Sequence, residues 1–143
     1  MADGVFNIAK GAFIEKFQDV NSKGIFLLLT AAEVDATLAD YDNLSTLLGA
    51  AGNTEASDPS YARKTGITAT ITVDDVNERV DLDIPDQVFT ALAGAAIVKA
   101  VFAYEETAAD TGRIPMAYFD ASVIPDGTDV TFQVNAAGLM RAS

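Results

Sequence analysis

The sequence predicts a mainly β, single-domain fold: an antiparallel β-sandwich or small barrel with one inserted helix over about residues 36–48. Three observations predict it. Apolar residues come in short segments bounded by turn formers, two neighbouring segments alternate strictly between apolar and polar, and one stretch carries helical periodicity. With 143 residues, half of them hydrophobic, the chain can bury one core without disulfides or metal.

Residues 24–30, from Gly24 through Ile25-Phe26-Leu27-Leu28-Leu29 to Thr30, form a continuous apolar run entered through Asn21-Ser22-Lys23. Such a run predicts a central strand buried on both faces. Upstream, Phe13, Phe17 and Val20 fall at helical spacing, but Gly4 and Gly11 interrupt any helix, and no period is assigned there. Asp35 is placed to cap a helix starting at Ala36, in which Leu38, Tyr41, Leu44, Leu47 and Leu48 make one apolar stripe. Gly49 to Gly52 ends it, and the polar stretch through Thr54-Glu55-Ala56-Ser57-Asp58-Pro59-Ser60 predicts an exposed loop.

Residues 67–73 alternate, which points Ile67, Ala69, Ile71 and Val73 inward. Residues 80–84 alternate likewise across a short polar connection, so the two segments predict a hairpin. Pro85 stops the second strand. Further strands are expected over 97–104, 114–123 and 130–134, separated by a loop at 105–112 and a turn at Ile124-Pro125-Asp126-Gly127. Residues 1–23 are expected to be an N-terminal arm, ordered either by itself or on a partner, and 24–143 the β-rich domain.

Composition narrows the function. No cysteine and no histidine are present, which removes thiolate nucleophiles, the commonest general base and the usual zinc ligands. A formal charge of −12 repels nucleic-acid phosphates and anionic lipid surfaces. Neither a phosphate-cradling glycine loop nor a Gly-x-Ser-x-Gly elbow occurs. No apolar run approaches the roughly 18 residues of a membrane span, and the N-terminus lacks a secretory pattern, so a soluble chain made in the cytoplasm is expected. The expectation is a non-enzyme with no cofactor and no metal, binding neither nucleic acid nor membrane.

Two groups of residues invite a functional reading. Asp74, Asp75, Glu78, Asp81, Asp83 and Asp86 cluster around the hairpin, and carboxylates in such a cluster can bind Ca²⁺ or act as an acid and base pair. Here the plainer account is solvation, since Asp81 and Asp83 sit on the outward face and Asp74, Asp75 and Glu78 belong to the turn. Tyr61-Ala62-Arg63-Lys64 holds two adjacent cations in a very acidic chain. Arg63 and Lys64, with Tyr61, can anchor a partner's carboxylates or pair with acids of the chain itself. In the first 30 residues Lys10, Lys16 and Lys23 balance Asp3, Glu15 and Asp19, so the acid excess lies downstream. The candidate contact residues are therefore Phe6, Lys10 and Phe13 in the arm, together with Tyr61, Arg63 and Lys64.

At Gly4-Val5-Phe6-Asn7-Ile8-Ala9-Lys10-Gly11, Ala39-Asp40-Tyr41-Asp42-Asn43-Leu44, Tyr61-Ala62-Arg63-Lys64 and the hairpin from Asp74 to Gln87, the chain resembles small virion structural proteins of tailed bacteriophages. The resemblance implies a head decoration, or cement, protein at the capsid surface. Its partner would be the major capsid protein, and it would self-associate, with a trimer among the options. Rival expectations are another minor virion protein of the tail or neck, a carbohydrate or host-surface binding module using the region near Tyr118, and a carboxylate-only glycosidase.

Overall fold

Strand β2 (Gly24–Ala31) organises the fold. Its first six residues are buried, as a run apolar on both faces requires. The computed structural model describes residues 3–6, 22–77 and 79–142 of the chain. The other strands are β1 (Gly4–Val5), β3 (Thr54–Glu55), β4 (Lys64–Ile67), β5 (Thr70–Asp74), β6 (Arg79–Asp83), β7 (Gln87–Phe89), β8 (Ile97–Glu105), β9 (Arg113–Val123), β10 (Val130–Phe132) and β11 (Met140–Ala142). All strand pairs are antiparallel. The protein is mainly β and sandwich-like in a single domain, as the periodicities predict.

The main sheet runs β1-β9-β8-β2, and the far edge of β2 is shared by β3 at one end and β4 at the other. A small sheet has the order β11-β6-β5, and β7 pairs with β10. Alternation along β8 gives the main sheet two buried faces. On one side a ring cluster forms from Phe26, Phe89 and Phe132, with centroids 5.7 to 6.4 Å apart. Tyr61 stacks on Phe89 at 5.9 Å.

The predicted helix is two short ones, α1 (Asp35–Leu38) and α2 (Leu44–Gly49). Asp35 is not the cap: Val34 occupies that position without a side-chain bond, and the Asp35 carboxylate turns to Lys99 instead. Asn43, in an extended conformation, starts α2 afresh by accepting the Thr46 N–H at 2.9 Å. The apolar stripe survives the break, since Leu38, Leu44 and Leu47 are all buried.

The strand predicted over 67–73 also divides. Ile67 ends β4 in the main sheet and Thr70 begins β5 in the small one, so Thr68 and Ala69 carry the chain between them. Ile67 and Ala69 are buried as predicted, but Val73 is 65% exposed because β5 is an outer strand of its sheet. The hairpin itself forms in the predicted place, with Val73 opposite Val80.

The stretch after the helix is less exposed than its polarity predicts. Thr54 and Glu55 pair with β2, and Asn53 and Ala56 are buried. Asn53 holds the corner by accepting the Glu33 N–H at 2.8 Å and donating to the Leu47 carbonyl at 3.0 Å. At the N-terminus, residues 4–6 of the predicted arm join the sheet: Gly4 pairs with Tyr118, and Phe6 is buried against the same ring.

Candidate functional site

The segment predicted to meet a partner lies between β3 and β4. Arg63 is 19% exposed and is used internally. Its guanidinium grips Glu55 with two bonds of 2.6 Å and Asp110 with bonds of 2.7 and 3.0 Å. Arg113 continues the chain of charges, donating to the same Asp110 at 2.8 Å and to Glu105 at 2.7 Å. The alternating series Glu55, Arg63, Asp110, Arg113, Glu105 thus ties the crossover before β4 to the connection between β8 and β9. Two-pronged geometry of this kind is what a planar guanidinium offers carboxylates.

Tyr61 is half-buried; its hydroxyl donates to Glu55 at 2.8 Å and accepts the Leu28 N–H at 3.2 Å. Burial pushes its phenol well above the usual range, and the Glu55 carboxylate adds to that rise. Lys64 sits with its ammonium 4.9 Å from the Phe89 ring centre, a cation held over an aromatic face. Tyr61, Arg63 and Lys64 therefore converge with Glu55 and Phe89 in one place. Phe6 does not reach a surface, because its ring fills the core beside Tyr118. Lys10 and Phe13 lie outside the described residues.

The Arg63 hydrogen bond holds the Asp110 carboxyl below its ordinary value, against the opposing effect of burial. A depressed folded value means the contribution is present above the unfolded pKa of about 3.9 and is lost as the pH falls through the lower folded one. Stability from this cluster is expected to stay level from about pH 7 to pH 5 and to decline below about pH 4. Urea unfolding across that range checks it, and Arg63→Met is expected to flatten the acid limb.

A second cluster surrounds Lys99, the third residue of β8, which is 0% exposed. The register sets it opposite Asp120 of β9, and its ammonium bonds both to Asp120 and, at 2.6 Å, to Asp35 of α1. The Tyr118 ring centre lies 5.1 Å from the same nitrogen. Burial drives the Lys99 ammonium toward neutrality, but the bonds to Asp120 and Asp35 prevail and its pKa is raised. The signal for this site is legible: a lysine inside Ile97-Val98-Lys99-Ala100-Val101 cannot be buried without carboxylate partners.

The hairpin acids are less solvated than their alternation predicts. Asp81 is 15% exposed because β11 pairs with β6 and brings Arg141 to it at 2.6 Å, while Arg79 approaches at 3.1 Å. Among the described residues no three carboxylates gather as a metal group would require. A recess of about 720 Å³ opens between β9 and the segment leading to β11, with Phe26, Phe119, Phe132, Asp3 and Asp120 in its lining. Tyr118 is 5% exposed and so offers no stacking surface to a sugar. No family model matches the chain, and no curated protein or solved structure is significantly similar to it.

Proposed function

We propose that this chain is a decoration protein of a tailed bacteriophage head, binding the outside of the major-capsid shell and stabilising it without chemistry. The observation that carries the reading is where the positive charge goes. Arg63, Arg79, Lys99, Arg113 and Arg141 are all drawn into ion pairs of the domain itself. An acidic β domain braced from within is a pre-shaped body that gives up little freedom on docking.

Contact with the shell falls to Lys64 and Tyr61 on the domain and to the segment holding Lys10 and Phe13. The chain on either side of that segment is fixed, by Gly4 and Phe6 at β9 and by Gly24 at β8. Each added contact to a neighbouring capsid subunit, or to another copy in a trimer, raises the effective concentration for the next. Preferential binding to the intact shell then shifts the particle away from rupture.

Particles assembled without the protein are expected to bind it stoichiometrically with shell subunits and to resist heat afterwards. A Lys10→Glu/Lys64→Glu variant is expected to bind weakly. Quantitative mass spectrometry of purified virions gives the copy number. A value comparable with that of the capsid protein supports the proposal, whereas a handful per particle assigns the chain to the neck or tail.

A further inference from the structure

Lys99 is the one cation among the fully buried side chains of the described residues, and it has two carboxylates rather than one. An amine that is itself fully buried, an acyl group and a separate proton carrier, held within bonding reach of one another, are the parts an amide condensation needs. We propose that Lys99 and Asp120 become joined by an amide bond between Nζ and Cγ, formed spontaneously within the folded domain, with Asp35 carrying the proton.

The register supplies the proximity. Lys99 and Asp120 are direct partners on β8 and β9, so their side chains leave the same face of the sheet as near neighbours. Asp120 is further fixed by its backbone N–H, which donates to the Asp3 carboxylate at 2.9 Å. On the other side of Lys99 the sheet continues through Leu29, which is fully buried. Tyr118 covers the ammonium. Holding the two groups in this way replaces an encounter between separate molecules, and effective molarities in such arrangements reach about 10⁵ M or more.

The step balances within the three side chains. One proton passes from the Lys99 ammonium to the Asp120 carboxylate, leaving an amine beside a carboxylic acid. The Nζ lone pair then forms a bond to Cγ. Asp35, whose carboxylate is 2.6 Å from Nζ, takes one N–H proton and returns it to the departing hydroxyl, which leaves as water. The products are a neutral amide, one water and the original Asp35 carboxylate, so the net charge is unchanged. Asp120 is the acyl partner because it is fixed on the adjoining strand, whereas Asp35 arrives from α1. Its carboxylate is 25% exposed, which gives the water a way out.

Intact mass measurement of the purified full chain, allowing for removal of Met1, tests the proposal. The expected mass is lower than that of the sequence by one water, and digestion should yield a branched peptide joining Lys99 to Asp120. Lys99→Arg is expected to restore the full mass. Asp120→Asn is expected to reach the same product mass by releasing ammonia instead. Asp35→Ala, folded by circular dichroism, is expected to keep its full mass. A folded wild-type chain that retains its full mass after prolonged incubation overturns the bond and leaves an ion pair. A branch at Asp35 overturns the assignment of Asp120, and an Asp35→Ala chain that still loses water overturns the proton carrier.

Discussion

Replacing Phe89 with alanine is expected to destabilise the domain by about 3–5 kcal/mol, the range for removing a large aromatic from a core. Phe89 is where several elements meet. Its ring touches Phe26 of the main sheet, Phe132 of β10 and Tyr61 from the crossover before β4, and the Lys64 ammonium lies over it. Truncation opens a cavity that no single neighbour can fill, since each belongs to a different strand or connection. Val88, next in the same strand, is 43% exposed, and Val88→Ala is expected to stay within about 0.5 kcal/mol. Urea unfolding of both variants checks the contrast, and equal losses would show that the aromatic cluster is not a structural centre.

The other large effect concerns the carboxylates around Lys99. Measured against freshly folded chain in which Lys99 is still an ammonium, a double Asp35→Ala/Asp120→Ala variant leaves that charge at 0% exposure without its two partners, and the expected cost is about 3–5 kcal/mol. Lys99→Met is expected to cost less. Methionine fills much the same volume, and the two carboxylates it abandons are 30% and 25% exposed, so water can reach them. The ordering of the two variants, from midpoints with a common slope, is the measurement. Were Lys99→Met the worse of the two, packing of the lysine stem would outweigh burial of its charge.

Much of the fold was legible because its central strands have no alternative. The run from Gly24 to Thr30, the segment 97–104 and the segment 114–123 are too apolar to lie anywhere but in the main sheet, and each is a strand within a residue or so of its predicted bounds. The hairpin was legible from alternation alone. Strands β3, β7 and β11 were not, because they are two or three residues long and owe their pairing to partners distant in sequence. Asp35 illustrates a local rule overridden: an acid before a helix suits a cap, but a buried ammonium is a stronger demand on a carboxylate than an exposed N–H. Arg63 follows the plainer of its two readings, because Asp110 lies far along the chain and its approach is set by the sheet rather than by spacing. Phe6 is a candidate contact group only while its strand lacks a partner, and pairing of Gly4 and Val5 with β9 is what turns it inward.

The central position of β2 has a consequence for how the chain comes into being. Its principal partner, from Lys99 to Tyr104, is made long after Leu29 has left the ribosome, and β9 follows later still. Closing so long a loop is entropically costly before any strand contact rewards it, which slows folding of sheets built this way. Until β8 emerges, the run Ile25-Phe26-Leu27-Leu28-Leu29 has only β3 and β4 to cover one edge. A nascent chain arrested before residue 97 presents that stretch as a sticky, unpaired strand, the kind of intermediate that chaperones hold and that aggregates at high expression. Synthesis in large numbers therefore depends on finishing the last third of the chain quickly, before neighbouring copies find the same strand.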